Sequence, residues 1–203
     1  MKLPLSFYQR SDVVTISREL LGKYLFSCID GEVSGGYIVE TEAYNGVIDR
    51  ASHAFGNRLT PRTKIMYEHG GVAYVYLCYG IHEMFNVVTS TAGEPHAILI
   101  RAIHPTEGID VMLRRRKMAT LKRTITSGPG SVAQAMAISR QINTISLQSD
   151  TLWIEDRGLI ISDDQVAAVP RIGVAYAKED ALLPYRFYVK GDEYVSKQIN
   201  NVF

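Results

Sequence analysis

The chain has 203 residues, 46% hydrophobic and 21% charged, with a net charge of +1. Such a profile suits one ordinary globular domain, residues 1–203, with a sizeable core. It excludes a global positive field that would recruit nucleic acid and, since no apolar run nears the ~20 residues needed to cross a bilayer, a helical membrane protein. The opening Met1-Lys2-Leu3-Pro4 leads into a polar run rather than a signal peptide. Cys28 and Cys78 sit in apolar runs without metal-ligand or CxxC spacing. They read as buried reduced thiols, which suits a cytoplasmic location.

Ser11-Asp12 reads as a helix start and Gly22 as its stop, with Val13, Ile16, Leu20 and Leu21 as the apolar stripe. Tyr24 to Ile29 reads as a strand, and Asp30-Gly31 as the hairpin turn into the strand Tyr37–Tyr44. Residues 45–62 are loop-like, after which Thr60 is placed to cap a short helix with Pro61 at its first position, ending near Gly70-Gly71. Val72 to Tyr79 is a strong strand, turning over Gly80-Ile81-His82 into a return strand from Phe85 to Thr91. Ala97 to Ile103 is a strand and Ile109 to Lys117 a helix. Ser127 caps a further helix reaching about Ile138, whose free amide groups would attract phosphate. Leu152–Glu155, Arg171–Val174 and Arg186–Val189 are read as short strands. Strands dominate and helices are inserted between them. The expected fold is α+β, a mostly antiparallel curved sheet with surrounding helices and a protruding β-hairpin.

The strand Tyr37–Tyr44 organises the rest. Side chains alternate along a strand, so Ile38, Glu40, Glu42 and Tyr44 are expected on one face. Two acids about 6.5 Å apart repel each other. The pattern makes sense if one is buried against structural partners and the other faces a pocket. Arg101 lies in an otherwise apolar strand, and a buried guanidinium needs a partner. Tyr44, Tyr76 and His53 supply flat faces, Asn86 an amide, and Tyr79 an aromatic at a hairpin tip. The charges are uneven. Residues 101–123 carry seven Lys and Arg against two acids, and Arg58, Arg62 and Lys64 cluster without an acid between them. A local cationic patch binds phosphate where the total charge does not suggest it. Taken one at a time, each residue also has an ordinary explanation: an exposed strand face, a core tyrosine, a turn-capping amide, a solvated helix face. Together they describe a pocket with aromatic walls, one carboxylate, one amide and one cation, rimmed by basic residues. Chemistry on an extruded nucleobase needs such a pocket.

The segments Ile38–Tyr44, Ser52-His53, Leu59–Arg62, Tyr74–Gly80, Asn86-Val87, Leu99–Ala102, Ser127–Pro129 and Arg186–Gly191 closely resemble, in order, those of the alkyladenine (3-methyladenine) DNA glycosylase family. The resemblance runs from about residue 5 to residue 195. It implies a monofunctional enzyme that flips alkylated or deaminated purines out of duplex DNA and hydrolyses the N-glycosidic bond during base excision repair. Glu42 would activate the water, and Arg101 would help hold that water and an adjacent phosphate. Tyr44 would stack on one face of the base, with His53 and Tyr76 on the other. Asn86 would sense the purine edge, and Tyr79 would fill the gap left in the helix. Arg58, Arg62, Lys64 and Ser127 are the candidate phosphate contacts. No metal or other cofactor is expected, and the protein would act as a monomer away from membranes. Two departures bear on DNA affinity and substrate range: Glu68, where small or apolar residues are usual in the family, and Glu83 near the hairpin tip. The alternatives are a non-catalytic nucleic-acid-binding module of the same fold and a carbohydrate-type glycosidase using Glu40 and Glu42. A lyase would need an amine in the pocket, for which Lys64 is the candidate.

Overall fold

The computed structural model describes residues 1–199; the last four residues of the expected domain lie outside it. A one-turn helix α1 (Leu5–Tyr8) precedes α2 (Val13–Glu19). The carboxylate of Asp12 caps α2 by accepting from the amides of Val14 and Thr15. Strands β1 (Tyr24–Ile29) and β2 (Glu32–Tyr44) form a hairpin whose two-residue turn is Asp30-Gly31, both at positive φ, as this tight turn requires. Then come β3 (Ala73–Cys78), β4 (His82–Thr89), β5 (His96–Glu107), α3 (Ile109–Arg116), α4 (Pro129–Ala135), β6 (Leu152–Glu155), β7 (Val166–Val169) and β8 (Arg186–Val189).

All pairings between these strands are antiparallel. The sheet is open, in the order β3-β4-β5-β2-β1-β6, with β8 pairing β2 and carrying β7. This is the α+β architecture expected from the sequence. Strand β2 is long enough to take β5 along one edge, and along the other β1 and then β8. Glu40 to Glu42 therefore lie between β5, which carries Arg101, and β8, which carries Arg186. Thr41 points to α2, where its hydroxyl donates to the carbonyl of Ser17.

Several expectations are corrected. The alternation along β2 fails at Ile38. Register shifts between Ile38 and Thr41 interrupt pairing with β5, and Ile38 packs into the apolar core with Val39 and Ala43. Helix α4 begins at Pro129 with Gly128, at φ 109°, in the cap position; Ser127 instead bridges to Ala102 as an isolated antiparallel pair. Thr60 does accept from the Thr63 amide, but the helical piece beyond it is one 3-10 stretch, Lys64–Tyr67. Residues 171–174 are not a strand; Arg171 is drawn into an ion pair there, and a 3-10 stretch, Ala175–Leu182, follows. Strand β4 begins at His82, so only Tyr79-Gly80-Ile81 spans the tip.

Three apolar clusters form. The largest lies between the sheet and its helices. Two smaller ones flank the β2 end of the sheet. One gathers Ala54, Ile65, Met66, Tyr74, Val88 and Ala97, the other Ala51, Val174 and Ala177 with Tyr44 against them. A cavity opens at the seam between these small clusters.

Candidate active site

The cavity encloses about 320 Å³ up to its mouth and is lined by Tyr44, Ala51, His53, Met66, Tyr74, Tyr76, Asn86, Ala97 and Tyr176. Four residues singled out from the sequence, Tyr44, His53, Tyr76 and Asn86, thus meet in one place. Each small cluster supplies one wall. Tyr44, Ala51 and Tyr176 come from one side, and Met66, Tyr74 and Tyr76 from the other.

On the second wall the rings interlock. His53 meets Tyr76 edge-on with ring centres 4.7 Å apart, and Tyr74 lies 5.2 Å from Tyr76. Arg62 covers this wall from outside, its guanidinium 4.5 Å from the Tyr76 ring centre. Burial, with help from Arg62 and then Arg58, lowers the His53 pKa from 6.5 to about 4, so its imidazole is neutral at ordinary pH. On the first wall Arg171 stands 4.9 Å from the Tyr44 ring centre. It forms a buried bidentate pair with Asp49 and donates to the carbonyl of Ala43, 2.8 Å away. Burial, then the charge of Glu42, raises the Tyr44 phenol well above its ordinary value.

Glu42 lies directly behind Tyr44 and is fully buried, not exposed on the cavity surface. Its Oε2 accepts from the Tyr44 hydroxyl at 2.9 Å, and its Oε1 accepts from the Ile172 amide at 2.8 Å. The Arg101 guanidinium is 3.3 Å from Oε1. A carboxylate has about four acceptor positions. Among the described residues Oε1 is engaged by the Ile172 amide and the Arg101 ion pair, while Oε2, the oxygen bound to the cavity-wall tyrosine, accepts one hydrogen bond and keeps a position open. Arg101 also donates to Glu40 at 2.9 Å and to Ser196 at 3.3 Å. Burial works against its charge, but Glu42 and Glu40 outweigh that and raise its pKa. The arginine therefore sits beneath the cavity, shared by two acids.

Tyr79 stands at the hairpin tip beyond Tyr76, 88% exposed and at φ 50°. Left-handed backbone is unusual for an aromatic residue, and an exposed ring held there gains nothing from packing. Arg58, Arg62 and Lys64 are exposed and, among the described residues, have no carboxylate partner. Lys64 borders a separate groove with Glu68 and His69. The basic run on α3 does not rim the cavity. Arg114 pairs with Asp110 and Glu32, Arg115 donates to Ser34 and to the carbonyl of Ala135, and Arg116 to the carbonyl of Thr124. Glu83 is matched by Arg140 at 3.1 Å, so its charge is largely compensated. Among the described residues no cluster could hold a metal ion, and no helix is long and apolar enough to cross a membrane.

The sequence reading missed five participants. Arg186 carried the same signal as Arg101, a cation in an apolar strand. Arg171 with Asp49, Ser196 and Tyr176 lie in irregular segments where no periodicity points inward.

Residues 6–193 match the family model described as methylpurine-DNA glycosylase. A protein of Chlamydia felis is 45% identical over 186 residues, covering 91% of this chain and 94% of the relative. One from Bacillus cereus strain G9842 is 42% identical over 209 residues, covering 98% and 100%. Both carry 3-methyladenine DNA glycosylase as a provisional name. The chain belongs to the methylpurine-DNA glycosylase family.

Proposed function

We propose that this member of the methylpurine-DNA glycosylase family removes damaged purines from double-stranded DNA by hydrolysis, as a monofunctional monomeric enzyme of base excision repair working beside the DNA in the cytoplasm. The observation that carries the reading is the Glu42–Tyr44 hydrogen bond, which ties a carboxylate with one open acceptor position to the wall of an aromatic cavity.

The base swings out between Tyr44 and the His53–Tyr76 wall. Extrusion costs a few kcal/mol, least for a poorly paired base. Stacking worth ~1–3 kcal/mol per base, and Tyr79 in the vacated gap, offset it. A water bound at the open position on Glu42 Oε2 attacks C1′ of the deoxyribose. Its oxygen bonds to C1′ and its proton passes to Glu42. The bond from C1′ to the purine nitrogen breaks with its electron pair going to the base. A 3-methylated adenine is cationic, so it departs neutral, leaving an abasic sugar. Ionised Glu42 also stabilises the positive charge that develops on the sugar. Arg101 holds Glu42 in orientation, and Asn86 reads the purine edge. Arg62 and Arg58 face the phosphates on the His53 side, with Lys64 further along.

The carbohydrate-glycosidase reading needs a second working carboxylate, and Glu40 is held by four structural donors, none of them lining the cavity. A lyase needs an amine, and the cavity lining contains no lysine. The test is a single-turnover incubation with duplex carrying 3-methyladenine, scored for free base and abasic sites. Free base with no borohydride-trapped adduct is expected. Tight binding without base release would establish the non-catalytic module instead.

A further inference from the structure

We infer that the Tyr74 hydroxyl is a hydrogen-bond donor to the base in the cavity, and that it extends excision from cationic to neutral damaged purines. The inference rests on the proposed glycosylase reading and deepens it.

His53 fixes where the protons lie. Its Nδ1 is 2.8 Å from the Tyr74 hydroxyl and its Nε2 is 3.4 Å from a terminal nitrogen of Arg62. A guanidinium has no acceptor, so Nε2 must accept. The ring is neutral at working pH, with one proton, which this network assigns to Nδ1. Nδ1 therefore donates to the Tyr74 oxygen. The Nε of Arg62 donates to the same oxygen at 3.3 Å. With two donors on its oxygen, Tyr74 must send its own proton elsewhere. Among the described residues no other partner approaches this hydroxyl, and the residue lines the cavity. Burial raises the phenol's pKa, so the group keeps its proton at neutral pH.

Asn86 is set the opposite way. Its Nδ2 donates to the carbonyls of Tyr74 at 3.2 Å and Met84 at 3.4 Å. Two carbonyls can only accept, which settles the orientation of the amide and leaves Oδ1 for the cavity. The polar edge of the cavity thus offers one donor, Tyr74, and one acceptor, Asn86.

The donor matters for one class of substrate. A cationic alkylated purine leaves as a neutral molecule. A neutral purine such as hypoxanthine leaves with negative charge building on its ring atoms. A fixed donor in a water-excluded site stabilises such charge, and losing one typically costs roughly 10²–10³-fold in rate.

The experiment compares single-turnover release of hypoxanthine and of 3-methyladenine from otherwise identical duplexes. Wild type is expected to release both. Tyr74→Phe keeps the ring and is expected to lower hypoxanthine release roughly 100-fold and 3-methyladenine release by less than about tenfold. Arg62→Ala, at an exposed position, guards against a folding defect in the first variant. Without Arg62 the His53 ring is free to switch tautomer and accept the Tyr74 proton, so hypoxanthine release again falls more than 3-methyladenine release. Equal losses on both substrates in both variants would overturn the inference, since a purely structural Tyr74 or a phosphate-binding Arg62 affects both bases alike. So would a wild type that releases 3-methyladenine and never hypoxanthine. Release of neither base would instead overturn the glycosylase reading itself.

Discussion

Glu40 and Glu42 lie two residues apart on one strand and both touch Arg101, yet their surroundings divide the labour. Around Glu40 the donors are all structural: Oε1 takes Arg101, Arg186 at 3.1 Å and the Ser196 hydroxyl at 2.9 Å, and Oε2 takes the Ser196 amide at 2.7 Å. Around Glu42, among the described residues, there are two hydrogen-bond donors and the Arg101 cation, and one of the donors is the hydroxyl of a cavity-lining tyrosine. The first carboxylate staples β2 to β5, β8 and the chain near residue 196. The second is held by the same arginine and is tied through Oε2 to the cavity wall. Two buried acids tolerate each other because two guanidiniums lie among them, so the cluster is neutral overall. The contrast teaches that the partners an acid holds, rather than its residue type or burial, separate a structural acid from one coupled to a cavity.

Substitutions can break that contrast. Glu40→Gln removes the charge that faces Arg101 and Arg186. Breaking a buried ion pair costs about 3–5 kcal/mol, so the urea midpoint should drop sharply. A loss below about 1 kcal/mol would show that Glu40 is not the staple described. A smaller effect is expected at the hairpin tip. Tyr79→Asn suits left-handed backbone and should leave stability intact, while lowering excision from duplex roughly tenfold more than from single strands, as loss of a stacking wedge predicts. Equal effects on both substrates would remove Tyr79 from the gap-filling role. The smallest effect is on the pH dependence of folding. His53 titrates at about 4 in the fold against an ordinary 6.5. As pH falls through that window the unfolded chain takes up the proton first, so stability present above pH 6.5 is lost progressively towards pH 4. His53→Gln should flatten this slope in urea melts compared between pH 7 and pH 5; an unchanged slope would contradict the assignment.

The sheet was legible in the sequence because its signals are local. Asp30-Gly31 fixes a two-residue turn, and the β-branched and aromatic runs mark β1 to β5. Within the site, Tyr44, Tyr76 and Asn86 stood out as aromatic or polar residues at strand spacing. The acids were expected to differ, one buried and one facing a pocket. In the folded chain both are buried, and Glu42 reaches the cavity only through Tyr44. What was not legible came from irregular backbone. Arg171 leaves the strand pattern to pair with Asp49, 122 residues away in sequence. Tyr176 reaches the cavity from a 3-10 stretch, and Ser127 gives up the cap position to bridge Ala102. Such placements depend on long-range partners that no local period encodes. The basic run at Arg114–Lys117 misleads for the same reason. Its arginines mostly serve contacts between α3, the β1–β2 turn and α4.

The most direct test of the account is Glu42→Gln, assayed in parallel for single-turnover base release and for affinity towards lesion-bearing duplex. The glutamine keeps the shape: its oxygen can accept from the Ile172 amide and its NH2 can donate to the Tyr44 hydroxyl, which turns to accept, but it cannot take a proton from water. Base release should fall on the order of 10³-fold or more while affinity stays within about threefold. Excision retained within about tenfold, or excision and affinity lost together, would contradict Glu42 as the group that activates water.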